Sequence, residues 1–238
     1  MRELDEKSLF YNTIAYDQDW DEFANNYETA LRLRLIFKKV IRPYEIKGSQ
    51  FLDAGSGGGH FSAMAAALGA EVYSLDIGKN LLDKVAKKCK SHRILGNVLN
   101  LPLKDNSFQI VLSTEVVEHT SAPKDALGEL ARIVKPEGIL VVTMPCRLWQ
   151  PLVRLATKLK LRPYKGYENF LWLRDLKRIL QRHGFIVEYE SGFNFCPIFW
   201  KKLDPLFKLF DKIYGKTFPS LMVNLVIRAR KKHSFNLS

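Results

Sequence analysis

Four glycines within five positions, Gly55, Gly57, Gly58 and Gly59, follow a short apolar run and precede a helix-forming one. Phe51 and Leu52 supply the end of a buried strand, and Asp53 stands where that strand stops. Glycine lets the backbone take positive φ and lets a ligand come close to the main chain. From His60, the run Phe61 to Leu68 has helical propensity, and Gly69 closes it. A strand, a glycine turn and a helix predict the first half of a nucleotide-binding βαβ unit. The spacing excludes two common versions of it. A G-x-G-x-x-G fingerprint needs a third glycine at position 60 or 62, depending on the register, and these are His60 and Ser62. A G-x-x-x-x-G-K-[ST] phosphate loop is absent as well. A glycine turn that only packs a helix on a sheet is the plainer alternative.

The stretch Asp53-x-Gly55-x-Gly57-Gly58-Gly59 resembles motif I of the class I S-adenosylmethionine (SAM) methyltransferases. SAM has no phosphates to cradle. It carries a sulfonium and an ammonium cation, which suit an acidic residue at the strand end. Further along, Glu71 to Ile77 reads as a buried parallel strand ending at Asp76, 21 residues after Gly55. A strand-end Asp often only caps the next helix. At this distance from the glycine turn it is instead placed to accept both ribose hydroxyls, as in other Rossmann-like sites. Lys79 to Lys90 reads as a basic amphipathic helix with Leu81, Leu82, Val85 and Cys89 inward. Gly96-Asn97-Val98-Leu99-Asn100-Leu101-Pro102 is similar to the family's Gly-Asp-Ala-x-x-Leu-Pro segment, with Asn97 where the family has the Asp that accepts from adenine. An Asn carbonyl can still accept that bond. The resemblance implies a cofactor shell of Asp53, Gly55, Ser56, Gly57, Gly59, Asp76, Ile77, Asn97, Val98 and Thr114. It covers residues 50–145 and implies a doubly wound, Rossmann-like α/β sheet of seven strands with helical lid insertions.

Phe108 to Thr114 is a further buried strand, and Glu115-Val116-Val117-Glu118-His119 follows its carboxyl end. In a doubly wound sheet such ends line the ligand crevice. The Glu-x-x-Glu-His spacing resembles the ubiquinone-biosynthesis O-methyltransferases. That likeness implies a divalent cation such as Mg held by Glu115, Glu118 and His119 beside the acceptor. Alternatively, His119, with Glu118, serves as general base on a hydroxyl. The plainer reading makes these residues a helix start and part of the cofactor shell.

Charge divides the chain. Residues 1–146 hold 18 Lys and Arg against 19 Asp and Glu, and residues 147–238 hold 19 against 6. The whole net charge of +12 therefore lies after the expected nucleotide-binding core, which points to an anionic partner surface. Cys89, Cys146 and Cys196 have no metal or disulfide spacing, which fits a reducing compartment. The N-terminus lacks the apolar core of a signal peptide, and no run reaches the ~20 apolar residues of a spanning helix. The expected location is cytoplasmic, with peripheral membrane contact as an option.

Three regions are expected: an N-terminal helical lid over 1–47, a SAM-binding core over 48–146, and the rest of the sheet with acceptor-side insertions over 147–238. The lid region carries Tyr11, Tyr16, Trp20, Phe23 and Tyr27, then a helix from Glu28 to Val40 ended by Arg42-Pro43. Lys135 to Gly138 reads as a turn before a strand from Ile139 to Pro145. After Pro151, Leu152, Leu155, Ala156 and Leu159 share one helical face, away from Arg154, Lys158 and Lys160. Such a helix either lies in an anionic membrane interface or caps the active site with its leucines. A helix from Phe170 to His183, a strand from Phe185 to Glu190, an aromatic run from Phe193 to Trp200, a second amphipathic helix begun by Asp204-Pro205 and a last antiparallel strand from Leu221 to Ala229 complete the chain. The function expected is methyl transfer from SAM to a small, apolar or lipid-like hydroxyl acceptor. A nucleic-acid methyltransferase and a non-catalytic SAM-binding partner are the alternatives, although no nucleic-acid recognition module is evident.

Overall fold

A computed structural model describes residues 26–160, 166, 168–194 and 204–233. Tyr11, Tyr16, Trp20, Phe23 and most of the Phe193–Trp200 run lie outside the described residues. Seven strands form one sheet: β1 (Gln50–Ala54), β2 (Glu71–Asp76), β3 (His92–Leu95), β4 (Phe108–Thr114), β5 (Val134–Pro145), β6 (Phe185–Phe193) and β7 (Asn224–Lys231). Their order is β3-β2-β1-β4-β5-β7-β6. β1 to β5 are parallel, and β7 lies antiparallel between β5 and β6. The strand order reverses between β1 and β4, and ligands of open α/β sheets bind at the carboxyl ends beside such a reversal.

Helices cover both faces because the central strands are apolar on both. Along β1, Phe51 faces one layer and Leu52 and Ala54 the other, all fully buried. On the Phe51 side lie α1 (Asn26–Leu35) with its π-helical continuation Ile36–Val40, α2 (Pro43–Ile46) and α3 (His60–Ala67). Phe37 stacks between Phe51 and Phe61 there, with centroids 6.3 and 6.5 Å away. α4 (Lys79–Lys88) buries Leu81, Leu82 and Val85, as its periodicity predicts, but it ends before Lys90 and leaves Cys89, expected inward, half-buried in extended backbone at its end. On the Leu52 side, α5 (Pro123–Ile133) and α7 (Leu173–Arg182) bury Leu127, Leu130, Leu176 and Leu180. α6 (Gln150–Lys158) and α8 (Asp204–Tyr214) attach to the carboxyl end of β5 and to β6.

Two expectations need correction. Lys135 to Gly138 is not a turn before β5 but an excursion within it. Val134 already pairs with Phe108, and Ile139 then pairs with Ile110, so three extra residues bulge out. Glu137 takes φ 63° at that bulge. Leu221 to Val223 precede the last strand, which starts at Asn224 because Pro219 to Leu221 form a 3-10 turn.

An ion-pair cluster ties the N-terminal helices to the end of the sheet. Arg228 is 6% exposed on β7 and grips both oxygens of Glu45 at 2.7 Å. It also donates to Glu188 at 2.8 Å and to the Val40 carbonyl at 2.7 Å. Burial alone would raise the Glu45 pKa, but the Arg228 hydrogen bonds outweigh it and hold the group at about 2.

Candidate active site

The glycine turn sits at the carboxyl end of β1, stitched to β2. Gly55 and Ser56 donate to the Leu75 carbonyl at 2.7 and 2.9 Å. Gly55 has φ 81°, and a Cβ there would lie 2.3 Å from Val116. Glycine at this position lets the segment after β4 close directly over the turn. Gly57 differs: it has φ 50° and nothing within 4 Å of where a Cβ would stand. That is the open cradle a ligand needs. The Ser56 hydroxyl beside it is buried without a hydrogen-bond partner.

Asp76 lies 6% exposed at the end of β2. It accepts the Gly57 N–H at 2.8 Å and the Gly78 N–H at 2.9 Å, one on each oxygen. Burial raises its pKa, while these N–H donors oppose the rise. Each oxygen keeps a lone pair for a further donor. Asp53 lies deeper, at 0% exposure. Its Oδ2 accepts the Ser62 hydroxyl at 2.6 Å, while Oδ1 has no partner. The Ser62 backbone N–H also stabilises its charge. Asp53 thus holds the first turn of α3 through the Ser62 hydroxyl, where the N-cap Gly59 makes no side-chain cap bond. Burial pushes its carboxyl up to about 7, against the Ser62 bonds and with Asp76 adding repulsion.

The Asn97 carbonyl oxygen accepts the Leu99 N–H at 2.9 Å and so folds its own loop. Gly96 donates to the Asp76 carbonyl at 3.0 Å, which joins this loop to the same corner. Val98 is buried, Ile77 is half-buried beside Asp76, and Thr114 is buried at the end of β4.

Glu115 takes φ 54° at the end of β4. Thr143 donates to its Oε1 at 2.9 Å and Asn224 to its Oε2 at 3.0 Å, with Arg32 from α1 at 3.6 Å. Sequence reasoning missed Arg32, Thr143 and Asn224, because only the strand order brings them to Glu115. Ser62 was missed too, although a hydroxyl in the first turn after the glycines was a readable signal. Glu118 is 0% exposed, and neither of its oxygens has a hydrogen-bond partner. Burial first, then repulsion from Glu115, pushes its pKa well above the carboxylate range. His119 Nε2 lies 3.8 Å from Glu118 Oε1.

The expectation of a divalent cation at Glu115, Glu118 and His119 does not fit this geometry. Among the described residues, no group of three or more His, Cys, Asp and Glu could hold a metal ion. Glu115 is already engaged by Thr143, Asn224 and Arg32.

The turn, Asp76, the Asn97 loop and the Glu118 rim thus meet at one corner, at the reversal of strand order. Residues 52–142 match the model of the methyltransferase domain family. A ubiquinone biosynthesis O-methyltransferase, mitochondrial, of Schizosaccharomyces pombe is 31% identical over 201 residues, which cover 76% of this chain and 71% of that protein. The chain belongs to the methyltransferase family. An uncharacterised protein of Methanocaldococcus jannaschii is similar over a greater length, with 30% identity across 91% of this chain and 97% of its own. The magnesium protoporphyrin IX methyltransferase of Synechocystis, solved with bound S-adenosylhomocysteine, superposes with a TM-score of 0.66 at 15% identity, covering 94% of this chain and 98% of that one. The enzyme is a SAM-dependent methyltransferase with the fold of that family. Among the described residues, no helix is long and apolar enough to cross a membrane.

Proposed function

We propose that this methyltransferase acts on a hydroxyl group of a small, largely apolar acceptor. The observation that carries this reading is Glu118, a fully buried carboxyl with no hydrogen-bond partner, 3.8 Å from His119 at the rim of the site. Burial and the neighbouring Glu115 carboxyl push Glu118 toward its neutral form, which suits an uncharged acceptor rather than an anionic one. The name of the S. pombe relative, an O-methyltransferase, agrees with it.

SAM supplies an electrophilic methyl on a sulfonium. The residues of this chain hold donor and acceptor in line, which can lower the barrier by ~7–11 kcal/mol. In this reading Gly57 and Ser56 receive the methionine end, and Gly55 and Gly59 shape the turn from below. Asp76 accepts the ribose hydroxyls on the lone pairs its backbone donors leave open. Ile77, Asn97 and Val98 border the adenine, while Thr114 lines the floor. Asp53, whose Oδ1 has no internal hydrogen-bond partner, supports the turn from beneath and holds the first turn of α3 through the Ser62 hydroxyl. Glu118 donates a hydrogen bond to the acceptor and orients it. His119 takes the hydroxyl proton as the new O–CH3 bond forms and the S–CH3 bond breaks.

The test mixes the chain and methyl-labelled SAM with a native extract, then separates organic, aqueous, protein and nucleic-acid fractions. Label is expected in the organic fraction, lost with His119→Ala and reduced at least tenfold in turnover by Glu118→Gln, with SAM affinity unchanged. Label in nucleic acid or protein refutes the acceptor reading.

A further inference from the structure

No side-chain hydrogen bond holds Glu118. Its carboxyl is fully buried and has no hydrogen-bond partner among the described residues, so the backbone of its turn does most to set where it points. That turn is a single 3-10 turn, Val117–His119. The His119 N–H reaches the Val116 carbonyl at 2.9 Å. The Val117 carbonyl accepts the Thr120 N–H at 3.2 Å and the Thr120 hydroxyl at 2.7 Å. A single 3-10 turn has little stability of its own, because its hydrogen-bond geometry is poor and nothing propagates from it. The peptide groups on either side of His119 and Thr120 therefore need a hold from elsewhere in the chain.

Asn169 supplies it. Its backbone N–H donates to the Glu118 carbonyl at 2.8 Å, and its side-chain Nδ2 donates to the Thr120 carbonyl at 2.8 Å. Both donors belong to one residue, so the two carbonyls are fixed relative to each other as well as to the donor. Asn169 is itself strapped down. Glu168 to Leu171, between α6 and α7, cross the carboxyl ends of β4 and β5. The Glu168 carbonyl receives the Gln150 side chain, and Arg147 donates to the Phe170 carbonyl at 3.1 Å. Leu171 forms a parallel bridge with Cys146 just after β5, and Phe170 is 3% exposed. The strap thus carries the firmness of the sheet to a turn that lacks it.

We infer, resting on the roles proposed above for Glu118 and His119, that Asn169 is a positioning residue for methyl transfer. Its two-point clamp holds the turn so that Glu118 and His119 meet the acceptor in one fixed arrangement. Asn169 touches neither donor nor acceptor and acts through the turn alone. Misplacing a reacting group by about 1 Å can cost about a hundredfold in rate, so a loosened turn shows in turnover before it shows in stability.

The test compares Asn169→Ala and Asn169→Asp with the parent. Both keep the backbone bond to Glu118. Alanine removes the side-chain donor, and aspartate, of the same shape, sets an acceptor against the Thr120 carbonyl. Turnover of methyl-labelled SAM in native extract is expected to fall about tenfold in both, with SAM affinity within about twofold of the parent and a melting temperature only ~2–4 °C lower. Asn169→Ala combined with Glu118→Gln should cost about threefold less than the product of the single losses, because both act on one arrangement. Amide exchange needs no acceptor: residues 117–120 should exchange about tenfold faster in both variants, with β1 and β2 unchanged. Unchanged exchange, unchanged turnover beside an impaired Glu118→Gln, or a full product in the double variant overturns the clamp. A melting temperature lower by about 10 °C with loss of SAM binding marks a structural role and overturns it as well. If His119→Ala keeps parent turnover, the proposed base is what fails, while the exchange result still decides the clamp.

Discussion

Asp53 offers a measurement in which depth of burial, rather than contact with a ligand, sets the outcome. Its carboxyl is 0% exposed and is pushed up to about 7 from 3.8, chiefly by burial. That difference of about three units, at ~1.4 kcal/mol each, amounts to roughly 4 kcal/mol. The sign follows from proton counting. Between pH 3.8 and about 7 the folded chain keeps a proton that the unfolded chain has released. Stability therefore falls as pH rises through that window and is lowest above it. Asp53→Asn keeps a carbonyl for the Ser62 hydroxyl and cannot ionise. Urea unfolding of parent and variant, at steps from about pH 4 to about pH 8, should show the parent losing up to ~4 kcal/mol more than the variant. Asp76, Glu115 and Glu118 are also raised and remain in both proteins, so the difference reports Asp53 together with its repulsion of Asp76. A cation bound above the turn favours the ionised carboxyl, so SAM affinity of the parent should rise with pH toward neutrality and that of the variant should not. Parallel stability curves would refute the argument that burial governs this group.

Two further substitutions test the packing that supports the site. Gly55→Ala places a methyl 2.3 Å from Val116 at φ 81° and should cost about 2–4 kcal/mol; Val116→Ala in the same chain should restore part of the melting temperature, and no restoration would mean the backbone angle alone decides. Arg228→Ala removes the main partner of half-buried Glu45, which keeps Arg230 at 3.2 Å and the Arg42 N–H at 2.9 Å, and should cost about 1–3 kcal/mol in urea unfolding. In the parent, the Glu45 contribution is complete above its unfolded pKa near 4.5 and is lost as pH falls toward about 2. Its acid unfolding should therefore be shallower in Arg228→Ala.

The sequence alone determined what depends on neighbours along the chain. Phe51-Leu52-Asp53, the glycines and the helix after them are one local unit, and their spacing excluded the phosphate-binding alternatives before any contact was known. Buried strands alternating with amphipathic helices, as at Lys79 to Lys90, were legible because each element carries its own period, and the resemblance carried by the glycine turn implied that they form a doubly wound sheet. Other features needed the tertiary structure, because they join residues far apart. β4 lies between β1 and β5, and β7 lies beside β5, so Glu115 meets Thr143 and Asn224, while the packing of α1 brings Arg32 to it. Depth was not legible either: Asp53 at the end of β1 is fully buried and accepts the Ser62 hydroxyl of α3, a contact that only the packing of α3 on the sheet creates. Orientation decided the leucines of α6. Periodicity shows that Leu152, Leu155 and Leu159 share a face, but only the anchoring of Gln150 and its neighbours on the protein turns that face to solvent.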